Sequence, residues 1–167
     1  TEEKPPLFSG KILKKITLYS IPSILQQSFI SVGNIFVQYL VNSFGSSCIA
    51  GYSSAIKLNT FAITSFTTLS NGLSSFVAQN YGAGRNDRIR SGYKAGLVIS
   101  AIVAVPFILC FFCMPKTMIN LFLDDGGTKA VEIGTTFLRI ISPFYVFVGI
   151  KIMSDGALRR SEEHTSE

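Results

Sequence analysis

YSSAIKLNTFAITSFTTLSNGLSSFVAQNYGAG, residues 52–84, is the stretch whose reading decides the fold. Lys57, Thr60, Thr64, Thr67, Asn71 and Ser74 recur at steps of three and four, which gathers them on one face of a helix. Ala62, Phe66, Leu69, Leu73 and Phe76 take the opposite side, suited to lipid or to a packed neighbour. The stretch closes on Ala78-Gln79-Asn80-Tyr81-Gly82-Ala83-Gly84, and Arg85, Arg88, Arg90 and Lys94 follow at once with only Asp87 to offset them. A long, one-side-polar helix with Lys57 as its one charge, ending in a burst of positive charge, fits the wall of a cavity inside a membrane, with its end at the cytoplasmic surface.

The rest of the chain agrees with a membrane setting. Charged residues make up 15% of the 167, against about a quarter in soluble domains, and the mean hydropathy is +0.39. Apart from Lys57, no charge occurs over residues 16–84, and none occurs over 95–115. A membrane-spanning helix needs about 20 mostly apolar residues. The sequence therefore predicts an all-α, polytopic bundle with about four spans, at 16–42, 48–81, 93–113 and 133–152. The second would be roughly 50 Å long, more than the ~30 Å hydrocarbon core, and so must tilt, bend at Gly72 or project from the membrane.

The net charge of +5 would point to nucleic acid only if it formed a surface patch. Here the basic residues flank the spans instead. Residues 1–15 read as a cytoplasmic linker and basic flank, and 10–19 read equally as an amphipathic surface helix. Lys4, Lys11, Lys14, Lys15, Arg85, Arg88, Arg90, Lys94, Lys151 and Arg159 fall on one side of a four-span topology, and Lys116 and Lys129 on the other. The richer side should be cytoplasmic, with both ends of the chain on it. Residues 160–167, RSEEHTSE, break from everything before them and resemble the in-frame translation of a short-read sequencing adapter. They hold His164, the one histidine, which is therefore expected to carry no function.

Residues 16–42 repeat the ordered polarity with Ser20, Ser23, Gln27, Ser31, Asn34, Gln38 and Asn42. An amide left without a partner in hydrocarbon costs several kcal/mol, so such a row must face other helices or water. Gln27, Asn34 and Gln38 with Thr60, Thr64 and Asn71 are the candidate cavity lining; hydrogen bonding between packed helices is the other reading of each. Lys57 reads either as an electrostatic gate or as a snorkelling lysine about 13 Å from its helix start. Cys110 and Cys113 have C-x-x-C spacing but lack a second pair, and with Cys48 they read as small apolar fillers. Asp124 and Asp125 lack the spaced ligands of a calcium loop. No histidine and no paired carboxylates lie in the spans, which argues against an enzyme, and no metal or organic cofactor is expected.

Three stretches resemble a known family: IPSILQQSFISVGNIFVQYLVNSFG (21–45), IAGYSSAIKLNTFAITSFTTLSNGLSSFVAQNYGAGRNDR (49–88) and FLRIISPFYVFVGIKIMSDGALR (137–159). They are similar to the C-terminal half of multidrug and toxic compound extrusion (MATE) transporters. That resemblance implies helices seven to ten of a twelve-helix protein with two pseudo-symmetric lobes. It makes residues 16–159 a partial C-terminal lobe, whose partners are the bilayer, the first lobe, the last two helices and small-molecule drugs. The implied activity is efflux of cationic or amphipathic compounds in exchange for Na⁺ or H⁺ by alternating access, in the cytoplasmic membrane. It also implies that Ala78, Gln79, Asn80, Gly82 and Gly84 form a cytoplasmic helix-end motif. A flippase for lipid-linked saccharides, of the same superfamily, is the alternative, as is a fragment inactive on its own. No Asp or Glu occurs between Glu3 and Asp87, so the first two spans offer no carboxylate for ion coupling.

Overall fold

The computed structural model describes residues 10–123 and 127–165, with the side chains of Lys11, Ile12, Lys15, Tyr19 and residues 159–165 outside the description. Asp124, Asp125 and the first nine residues also lie outside the described residues. The elements are α1 (Gly10–Ser43), α2 (Ser46–Gly82), α3 (Asn86–Cys113), α4 (Pro115–Asn120), α5 (Gly127–Ile141), a 3₁₀ turn at Ser142–Phe144, and α6 (Tyr145–Thr165). The protein is an all-α bundle, with no strand among the described residues. Among the described residues, three stretches are long and apolar enough to cross a membrane: Ile16–Ser43, Asn86–Cys113 and Gly127–Leu158. The fourth long helix, α2, has 37 residues, and its polar row dilutes the apolar side that it buries in protein.

The chain divides at Phe44–Gly45 into two units. The first is α1 with the residues before it, one continuous helix through Pro22. The basic segment at its start is thus the first turns of the long helix rather than a separate surface helix.

The second unit is organised on α2, which packs against α3, α5 and α6. Its buried residues are Gly51, Ser54, Ala55, Leu58, Ala62, Phe66, Ser70, Leu73, Val77 and Asn80, again at steps of three and four. Phe66 and Tyr145 stack with Phe107 and Phe111 of α3 at centroid distances of 5.8–6.4 Å. Such tilted and edge-on pairs add roughly 0.5–1.5 kcal/mol each beyond area burial. Where the helices run closest, glycine supplies the room. Gly51 of α2 meets the backbone of Ala130 and Gly134 on α5, Gly149 meets Ser100 and Phe66, and Gly156 meets Ser70. Membrane helices associate through this kind of small-residue contact, because lipid gives them no hydrophobic drive to pair.

Three boundaries differ from the sequence expectation. The third helix starts at Asn86, not near residue 93, so Arg88, Arg90 and Lys94 lie on its first turns rather than in a loop. Residues 116–132 were expected as one connection but contain α4, whose Ile119 is fully buried against the core. The span expected at 133–152 begins at Gly127 and is interrupted at Ser142–Phe144. By contrast α2 and α3 are unbroken through Gly72 and Pro106.

Candidate functional site: the polar face of α2 and the broken helix

The polar row of α2 stays uncovered. Lys57, Thr60, Thr64, Thr67 and Asn71 are exposed, on the side of the helix opposite Ala62, Phe66, Leu73 and Val77. Their hydroxyls are not all alike. Thr67 Oγ1 donates to Ile63 O at 2.9 Å, which satisfies it within its own helix. Lys57, Thr60, Thr64 and Asn71 make no side-chain hydrogen bond among the described residues. A lysine, an amide and two hydroxyls in that condition cannot face hydrocarbon without a cost of several kcal/mol each. This face therefore addresses water, solute or further protein.

Gln27, Asn34 and Gln38 all lie on α1, in the other unit, and all are exposed. Gln38 Nε2 donates to Asn42 Oδ1 at 2.9 Å, one turn on, so two amides of that row partly satisfy each other. The structure thus brings Lys57, Thr60, Thr64 and Asn71 together on one helix face, and describes the α1 residues by themselves.

The break between α5 and α6 has a direct covalent cause. Pro143 has no N–H, so the carbonyl four residues earlier, Arg139 O, loses its helical donor. Ser142 Oγ donates to that carbonyl at 3.3 Å, and Ser142 is fully buried. The break falls at the middle of the Gly127–Leu158 stretch. At that depth, irregular backbone is tolerated only against protein or a water-filled cavity, and discontinuous helices are where transporters build binding sites.

Tyr145, the first residue after the break, is 2% exposed and donates its hydroxyl proton to Asn59 Oδ1 of α2 at 3.0 Å. Asn59 is the sequence neighbour of Thr60, but it sits on the packed side of α2. The same seam carries Ser70 Oγ donating to Ile152 O at 2.7 Å, and Tyr93 Oη paired with Ser154 Oγ at 2.7 Å from α3. Reading the polar row alone missed Asn59, Ser70 and Tyr145. The available signal was their phase: a polar group at an apolar position of a helix needs a partner on the neighbour it packs against.

The closing motif of α2 has one conformational solution. Gly84 sits at φ +67°, its N–H bonds Tyr81 O at 2.9 Å, and Arg85 N–H reaches back to Asn80 O at 2.9 Å. These two bonds make a Schellman cap with Gly84 in the left-handed position. Of the two glycines expected to stop the helix, Gly84 does so, whereas Gly82 is the last helical residue. Asn80 Nδ2 also donates to Phe76 O at 2.8 Å, and α3 starts two residues after the cap. Ala78 and Gln79 lie within the last turns of α2; Gln79 O accepts the Ala83 N–H at 3.3 Å. On α6, Lys151 Nζ pairs with Asp155 Oδ2 at 2.6 Å, both exposed. Cys48 and Cys110 are half-buried and Cys113 exposed, all as free thiols.

Comparison with known proteins adds the family. The family description MatE matches residues 22–165. The chain is 27% identical over 139 residues to the probable multidrug resistance protein YpnP of Bacillus subtilis, covering 83% of this chain and 31% of that protein. It is 23% identical over 151 residues to the probable multidrug resistance protein YoeA of the same organism, covering 90% and 32%. Against the probable multidrug resistance protein NorM of Pseudomonas putida it is 25% identical over 127 residues, covering 74% and 28%. The chain thus spans about three tenths of the length of these relatives. No solved structure matches.

Proposed function

Because this chain belongs to the MatE family, the multidrug and toxic compound extrusion transporters, we propose that it forms part of one lobe of a polyspecific drug exporter in the cytoplasmic membrane. The observation that carries this reading is the exposed face of α2, on which the side chains of Lys57, Thr60, Thr64 and Asn71 have no hydrogen-bond partner among the described residues. Hydroxyls and an amide offer weak, adaptable hydrogen bonds to solutes of varied shape. One lysine sets the field without building a charge-specific site. Gln27, Asn34 and Gln38 of α1 are exposed amides of the same weakly binding kind, and this reading gives them the same role in cavity lining within their own unit.

Transport by alternating access needs an element with two arrangements. The break at Ser142–Phe144, held to α2 by the Tyr145–Asn59 bond, is the hinge we assign to it. Exchange for Na⁺ or H⁺ needs a group whose charge or ligation changes with state, commonly a carboxylate within the membrane, and α1 and α2 hold none. The first two helices therefore supply no coupling carboxylate. Both ends of this chain and the α2–α3 corner face the cytoplasm, following the excess of Lys and Arg there. A flippase for lipid phosphates would need several cations on the α2 face, where Lys57 stands alone.

Single cysteines at 27, 34, 38, 60, 64 and 71 in the complete transporter test the cavity. The expected result is reaction with water-soluble thiol reagents, slowed by a transported drug. Uniform protection would assign the row to helix packing. Lys57→Ala should lower drug export at unchanged membrane levels, and unaltered resistance of cells would remove Lys57 from the site.

A further inference from the structure

A groove of about 720 Å³ runs along the flank of the α2–α3 seam, apart from the polar face described above. Small residues open it. Gly72 has nothing within 4 Å of the place a side chain would occupy, and Ala95 and Gly96 face it from α3. Its inner end lies between Leu69, Ile99 and Met153, with Thr68 beside them holding its hydroxyl on Thr64 O, and its outer end opens at the cationic corner, where Arg88 lines it together with Asp87 and Ser91. From Asp87 to Ile99 is twelve helical steps, or about 18 Å. That is close to one leaflet, half of the ~30 Å hydrocarbon core.

We propose that this groove binds an anionic phospholipid, its phosphate on Arg88 and Ser91 and one acyl chain along Gly72, Ala95 and Ile99. Charge selects the occupant. Arg85, Arg88, Arg90 and Lys94 lie on the corner and the first turns of α3 with Asp87 as the one acid, so a cationic drug is repelled from the entrance and a phosphate is drawn to it. Length selects the same occupant, because a groove that starts at a charged surface and ends one leaflet deep copies the shape of a lipid. The inference rests on the reading above that the α2–α3 corner lies at a membrane surface.

The chain has no tryptophan, so Ile99→Trp in the complete transporter, with any other tryptophans replaced, places a reporter at the inner end. Its quenching is read in symmetric vesicles of phosphatidylcholine containing either brominated phosphatidylglycerol or brominated phosphatidylcholine at equal mole fraction. The expected result is stronger quenching by the glycerol lipid, a preference that Arg88→Gln lowers about fivefold and Arg88→Lys largely keeps. Gly72→Leu, which fills the groove without changing charge, should abolish the preference. Equal quenching by both lipids, unchanged in Arg88→Gln, means ordinary surrounding lipid and overturns the proposal. Absence of quenching by either means that another part of the transporter covers the groove, which also overturns it. Orientation is read separately, by labelling Arg90→Cys from outside with an impermeant thiol reagent in a transporter whose native cysteines, Cys48, Cys110 and Cys113 among them, are replaced by alanine. Because the vesicles are symmetric, an external corner would refute the topology and leave the lipid result standing.

Discussion

The same substitution at two glycines of α2 should have opposite signs. Replacing an interior helical glycine by alanine gains about 1 kcal/mol of helix propensity wherever the new methyl finds room. At Gly72 the Cβ would meet nothing within 4 Å, so Gly72→Ala should stabilise by up to that amount. At Gly51 the Cβ would overlap Ala130 O and lie 3.1 Å from Ala130 C and 3.2 Å from Gly134 N. All three are backbone atoms of α5, so no side chain can rotate away and the two helices must part. Forcing a methylene into a packed seam costs about 1–3 kcal/mol. The propensity gain is common to both variants, so the difference between them isolates that contact. It should be about 1–3 kcal/mol against Gly51→Ala. Reversible unfolding of the complete transporter in mixed detergent and dodecyl sulfate micelles measures it. Equal stability of the two variants would refute the close α2–α5 approach on which the second unit is built.

Three further outcomes follow from the polar contacts. A double-mutant cycle with Tyr145→Phe and Asn59→Leu should give a coupling of about 0.6–1.7 kcal/mol, the range for hydrogen bonds between membrane helices. In the same variants transport should fall more than stability if the helix break is a hinge, whereas parallel losses would make the bond structural only. Gly84→Ala should cost about 1–2 kcal/mol in the same unfolding assay, because its left-handed backbone strains any Cβ; Gly82→Ala, at a helical position, should cost nothing. Lys151→Gln should change stability by less than about 0.5 kcal/mol, since the ion pair with Asp155 is exposed and screened, and a larger loss would mean a buried role for the pair.

The sequence by itself determined the class, the long helices to within their ends, and the two faces of α2. Uncharged runs long enough to cross a bilayer leave few alternatives to helix, since every backbone group must be bonded within its own segment. The polar row from Lys57 to Asn71 follows from spacing, because helical phase is a local property, and the row came out exposed opposite the buried Ala62, Phe66 and Leu73. The family was legible for the same reason, in stretches such as AQNYGAG where the chain must close a helix at a glycine.

Only the tertiary structure decided what the off-phase polar groups do. Asn59, Ser70 and Tyr145 break the pattern of their own helices, and their partners are 82 to 86 residues away or on the opposite side of the pair. No local rule names such a partner; it is chosen when glycines at 51, 134, 149 and 156 let the helices approach. The break at Pro143 shows the division of labour. Proline removes an N–H wherever it stands, at 22 and 106 as much as at 143, yet α1 and α3 continue through theirs. At 143 the α-helix gives way to a 3₁₀ turn, with Ser142 buried on the orphaned carbonyl and Tyr145 bonded to α2. Sequence takes the donor away, and packing decides whether the helix yields.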